Sequence, residues 1–150
     1  MDMMKEIWFD MDGTIANLYA VEGWLDYLIH EDTFPYENAA TMCNFSVLAR
    51  MLNNLQRDGW KIGIISWTSK NGSENYNLAV EMAKRAWLAK HLPSVEWDEI
   101  KIVRYGTNKW LTCGGGILFD DEEGNRNAWG NGHAFNPTAI IETLKTLRQI

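Results

Sequence analysis

Short apolar runs recur along this chain, separated by longer stretches in which apolar residues return every three or four positions. The runs are Ile7-Trp8-Phe9, Trp60-Lys61-Ile62-Gly63-Ile64-Ile65-Ser66, the segment from Glu99 to Arg104 around Ile100, Ile102 and Val103, and Gly115-Gly116-Ile117-Leu118-Phe119. A shorter one surrounds His133-Ala134-Phe135. Runs this apolar predict strands covered on both faces, as in a parallel sheet. The periodic stretches predict helices. Leu18, Val21, Leu25 and Leu28 suggest one over 16–29, and Phe45, Leu48, Leu52 and Leu55 a second over 41–57 stopped by Gly59. Ser73 is a candidate N-cap for a long helix to His91, carrying Tyr76, Ala79, Val80, Ala83 and Trp87, with Pro93 beyond its end. Asn136-Pro137 opens a closing helix with Ile140, Ile141, Leu144 and Leu147 inward. Residues 30–40, with Pro35, read as a loop, and Tyr105 to Cys113 as irregular or briefly helical. Strand and helix alternate, which predicts an α/β, Rossmann-like three-layer fold in one domain over 1–150, with 16–58 a small helical cap inserted between the first two strands.

Three of the predicted strands end in polar chemistry: Asp10 and Asp12 after the first, Ser66 at the end of the second, Asp120 and Asp121 after the fourth. Parallel strands bring such ends to one edge of the sheet, where ligands of α/β proteins bind. Carboxylates crowded there repel unless a cation offsets them. Oxygen ligands with no cysteine or histidine nearby suit Mg²⁺ rather than zinc or copper. Ser66 and Lys109 are then candidate donors to a substrate phosphate.

The formal charge of −6, without a basic run, argues against a sequence-independent grip on nucleic acid. Cys43 and Cys113 stand far apart and outside any metal-binding pattern, so both read as reduced thiols of an intracellular, cytoplasmic protein. The opening residues lack the charged and apolar regions of a secretory signal, and no apolar run approaches the roughly 20 residues of a membrane span. His30 and His91 read as incidental, and His133 as part of the last strand.

In these motifs the chain resembles the haloacid dehalogenase superfamily of phosphatases. The D-x-D-G-T motif of that family is matched by Asp10-Met11-Asp12-Gly13-Thr14, its strand-end hydroxyl by Ser66, its lysine by Lys109 and its acidic pair by Asp120-Asp121. The resemblance implies that Asp10 attacks phosphorus to form an aspartyl-phosphate, and that Asp12 protonates the leaving oxygen and later activates water. It implies Mg²⁺ between Asp10, Asp120 and the backbone carbonyl of Asp12, with Asp121 binding the metal or orienting a metal-bound water. Ser66, the N–H of Trp67, Thr14 and Lys109 are implied as phosphate contacts. Lys84, Lys90 and Lys101 also precede the acidic pair, and a solvated loop lysine is the alternative reading of Lys109.

The spacing from Lys109 to Asp121, with Asn125 and Trp129 following, resembles the 5′(3′)-deoxyribonucleotidase branch. The expected substrate is therefore a small phosphorylated molecule, a nucleoside monophosphate first. A polynucleotide end phosphatase, a sugar-phosphate phosphatase and a binding module without turnover are the alternatives. Tyr19, Trp24, Tyr27, Phe34 and Tyr36 offer a face for a nucleobase or simply pack the cap, and Trp67 adjoins Ser66.

Overall fold

The computed structural model describes residues 4–148 of the chain. β1 (Glu6–Phe9) carries Ile7, Trp8 and Phe9, none more than 4% exposed, so both of its faces are covered. It lies at the centre of a five-stranded sheet with β4 (Lys61–Trp67), β5 (Glu99–Val103), β6 (Ile117–Phe119) and β7 (Ala134–Phe135), in the order β5-β4-β1-β6-β7. Every neighbouring pair is parallel. The chain leaves β1 toward β4 on one side and returns to β6 on the other. β1 therefore sits where the strand order reverses, the crevice in which open parallel sheets take ligands.

The layers over the sheet follow the predicted periodicities. α3 (Phe45–Arg57) starts where the Asn44 side chain accepts from the N–H groups of Ser46 and Val47 at 3.0 and 3.2 Å. Such a cap is worth about 1 kcal/mol over alanine. Its face of Leu48, Met51, Leu52 and Leu55 enters the main core beside Ile7, Phe9 and Ile62, each side chain contributing roughly 1.5–3 kcal/mol by burial. α4 (Glu74–His91) starts at Ser73, whose hydroxyl accepts from the Tyr76 N–H, and buries Val80, Ala83 and Trp87. α5 (Lys109–Cys113) and α7 (Ile140–Leu147) are also where the pattern put them. Cys43 and Cys113 are free thiols, and among the described residues no helix is long and apolar enough to cross a membrane.

The segment after β1 departs from expectation. Instead of a helix over 16–29 there is β2 (Ala16–Asn17), a 3₁₀ turn and a short α1 (Trp24–Ile29), because Gly23 takes a left-handed conformation (φ 74°) and breaks the run. Leu25, expected to face inward, is exposed, as is Ile29. The expected loop over 30–40 contains α2 (Phe34–Asn38), with Pro35 in its first turn, and β3 (Ala40–Thr41). β3 pairs antiparallel with β2, so this ribbon forms the root of a cap spanning residues 18–39. α3, included in the expected 16–58 insertion, packs in the body. Leu18 and Tyr36 dock the cap onto Tyr76, Val80 and Ala83 of α4. The Glu31 carboxylate reinforces this contact, accepting from the Ser73 N–H and hydroxyl at 2.8 and 2.7 Å. A further helix, α6 (Glu123–Ala128), was not anticipated.

Candidate active site

The turn after β1 is built around one acceptor. The N–H groups of Thr14, Ile15 and Ala16 all reach the Met11 carbonyl, at 3.0, 3.0 and 2.9 Å. Closing so tight a turn takes the left-handed conformation of Gly13 (φ 79°), and a Cβ there would run into the Asp121 carboxylate. This glycine thus lets the tips of β1 and β6 approach. Asp10, Asp120 and Asp121 each bring a carboxylate oxygen within 4.8 Å of the others.

Lys109 enters from α5 and donates to Asp10 Oδ1 at 2.9 Å and Asp120 Oδ2 at 2.6 Å. Burial would discharge this ammonium, but the charges of Asp10 and Asp120 outweigh it and hold the pKa above the ordinary lysine value. Asp120 is held further by the Glu122 N–H at 2.9 Å and by the amide of Asn125 on α6 at 3.1 Å. One ammonium does not balance three carboxylates. Burial, then the Asp10 charge, raises Asp120 to about 6. The same two causes, followed by hydrogen bonding with Asp10 and then the charge of Asp120, raise Asp121 to about 7. Burial and the charges of Asp12, Asp121 and Asp10 likewise push up the Tyr19 phenol. The field here is negative, and three hard oxygen donors so close together fit a divalent cation of the magnesium kind.

Asp12 stands apart from that cluster. Its carboxylate turns to Lys84 of α4, whose ammonium donates to Asp12 Oδ2 at 2.8 Å, Ser66 Oγ at 2.7 Å and the Trp67 carbonyl at 2.7 Å. Burial raises Asp12 by more than Lys84 lowers it, with Asp10 adding to the rise. Asp10, Asp12, Lys109 and Asp121 all border one cavity of about 530 Å³, within the usual range for small-molecule sites. Its walls carry Tyr19, Trp24, Trp67 and Tyr105, together with the exposed Leu25 and Ile29.

Two residues expected to contact phosphate, Ser66 and Thr14, are buried and bound to neighbouring groups. Ser66, one residue before the end of β4, is fully buried, its hydroxyl accepting from Lys84. Thr68 and Ser69, which follow β4, line the cavity. Thr14 is also enclosed, donating to Asp10 Oδ2 at 2.9 Å and accepting from the Asp121 N–H at 3.1 Å, so it joins two loops and has no opening to a ligand. Trp67 lines the cavity and pairs in register with Val103 of β5. Sequence reasoning weighed Lys84 only as a rival to Lys109 and missed its place beside Asp12, although a lysine four residues after Val80 and three before Trp87 sits on the buried stripe of α4.

The molecule is thus an α/β protein with a mainly parallel sheet and an acidic cluster at the carboxyl edge of its central strands. Among solved structures it is similar to the crystal structure of a D,D-heptose 1,7-bisphosphate phosphatase from Burkholderia thailandensis. The TM-score is 0.52 at 15% sequence identity, over 85% of this chain and 74% of that one. What the two share is the fold. No protein-family model and no curated protein matches the sequence.

Proposed function

We propose that this protein is a Mg²⁺-dependent phosphomonoesterase of the haloacid dehalogenase type, working through an aspartyl-phosphate on Asp10. The observation that carries this reading is the shared cavity edge of Asp10, Asp12, Lys109 and Asp121, with the carboxylates of Asp10, Asp120 and Asp121 within 4.8 Å of one another. The likeness in fold to a sugar-bisphosphate phosphatase supports it.

Asp10, oriented by Lys109 and Thr14, attacks phosphorus and forms the new O–P bond as the ester bond breaks. Asp12, whose burial favours the protonated form, gives its proton to the departing oxygen. Water then attacks phosphorus, Asp12 takes back a proton, and Asp10 is released as the carboxylate with inorganic phosphate. Lys109 stabilises charge on the nucleophile and the transferring group. Asp10, Asp120 and Asp121 would hold Mg²⁺, which when bound neutralises the charge of cluster and phosphate. Thr68 and Ser69 take over the phosphate-contact role expected of Ser66 and Thr14.

Within this class the preferred substrate is a (deoxy)ribonucleoside monophosphate, since Tyr19, Trp24, Trp67 and Tyr105 surround the space that a leaving group would fill. A sugar phosphate is the second reading, favoured by the substrate in the neighbour's name. The test is release of p-nitrophenol from p-nitrophenyl phosphate with and without Mg²⁺, for the wild type and Asp10→Asn, followed by a panel of nucleotides and sugar phosphates. Metal-dependent release lost in Asp10→Asn is expected. Tight nucleotide binding without any release would mark a binding module instead.

A further inference from the structure

Lys84 is 1% exposed on the apolar stripe of α4, where methionine or leucine would pack without the several kcal/mol that desolvating an ammonium costs. Its three N–H bonds are all committed, to Asp12 Oδ2, Ser66 Oγ and the Trp67 carbonyl, each within 2.8 Å. These acceptors come from two different strand ends: the turn after β1, which carries Asp12, and the end of β4, which leads into Thr68. The ring of Tyr36 from the cap lies beneath the same ammonium, 5.2 Å from Nζ to centroid. We propose that Lys84 is a positioning residue for the acid step: it fixes the Asp12 carboxylate through Oδ2, leaves Oδ1 directed to the leaving oxygen, and ties that carboxylate to the turn that receives the phosphate.

The inference rests on the phosphomonoesterase reading and deepens it. Among the described residues Oδ1 of Asp12 has no hydrogen-bond partner, whereas Oδ2 has Lys84. An acid free to rotate about its side-chain bonds would offer its proton in the needed geometry only part of the time. The charge left on Asp12 after the proton departs is met at 2.8 Å by an ammonium held by two further acceptors. A purely structural lysine would serve the turn equally well for every substrate. A lysine that aims the acid matters only where the leaving group needs a proton.

That difference supplies the test. Lys84→Met is compared with wild type by kcat/KM, which reports the first phosphoryl transfer, on glycerol phosphate and on p-nitrophenyl phosphate in Mg²⁺. Glycerol departs poorly without protonation, while p-nitrophenolate leaves readily as an anion. The expected loss is about 100-fold or more on the alkyl ester, the low end of what a general acid supplies. On the aryl ester only a few-fold loss is expected. Asp12→Asn should give the same pattern, and adding Lys84→Met to it should cost nothing further. Equal loss on both esters, or a further loss in the double variant, would overturn the proposal. Lys84→Gln, which keeps a donor, is read in the same way if the methionine variant does not melt cooperatively. Failure of both to fold would make Lys84 a structural strut and also overturn the proposal. If the wild type releases no phosphate from either ester in Mg²⁺, the phosphomonoesterase reading fails and takes this inference with it.

Discussion

Lys109 donates to Asp120 Oδ2 over 2.6 Å, joining α5 to the end of β6 with both side chains almost wholly out of solvent. The same ammonium reaches Asp10, so one cation holds two members of the acidic cluster together. Deleting it leaves buried carboxylates facing one another, and removing one partner of a buried pair costs roughly 3–5 kcal/mol. Lys109→Met is expected to lower stability by about that much in denaturant melts with chelator present. It should also cut phosphate release by at least about 100-fold, the usual cost of a lost charge-stabilising donor. A variant as stable as wild type would mean that the cluster does not need this cation.

The acidic cluster also sets a pH dependence. With metal removed, the folded protein holds protons on Asp120 up to about pH 6 and on Asp121 up to about pH 7, raised from 3.8. The unfolded chain releases both near pH 4. Between these limits the folded state binds more protons than the unfolded one, so this contribution to stability declines as pH rises through the window and is level above it. Thermal melts in chelator should show a higher Tm near pH 5 than near pH 8, and Asp121→Asn should flatten the slope. Identical slopes for the two proteins would refute the assignment to Asp121.

Local periodicity made most of the body legible. The apolar runs of β1, β4 and β6 and the caps at Ser73 and Asn136 are short-range signals, and each was found within a residue or two of its place. The limits of the cap were not legible, because its root is a pairing of Ala16 with Thr41 and of Asn17 with Ala40, residues far apart in sequence. Leu25 misled for a second reason: its apolar side chain lines the cavity, and a periodicity count cannot tell a ligand wall from a core. At the site the acidic residues were legible from motif order. The surroundings of Ser66 were not, because its hydroxyl is enclosed by Lys84, a residue 18 positions away on α4 that no local pattern pairs with it. Lys84 was visible in principle as a charge on a buried stripe, but finding its partners required the crossing of α4 over the end of β4.

Gly13 offers a test of the close approach between the β1 turn and Asp121. Alanine there must hold a left-handed backbone, at roughly 1–2 kcal/mol, and its Cβ would displace the Asp121 carboxylate. Gly13→Ala is expected to lower Tm by several degrees and to weaken Mg²⁺ binding about tenfold or more in calorimetric titration. Unchanged Mg²⁺ affinity would show that Asp121 does not act at the ion.

Substrate preference can be tested through Trp24, whose ring packs edge-on against Tyr19 at 5.0 Å and which lines the cavity. Stacking of a base on an aromatic side chain is worth roughly 1–3 kcal/mol, or about five- to 150-fold in affinity. Trp24 is only partly buried, so its removal should spare the core. Trp24→Ala is expected to raise KM for nucleoside monophosphates by such a factor while changing kcat little, and to leave KM for glycerol phosphate, which has no ring to stack, within about twofold. Should both substrates respond alike, the wall serves cap packing and not base recognition. Should a sugar phosphate instead be the better substrate of the wild type, the second reading of the leaving group would take the place of the first.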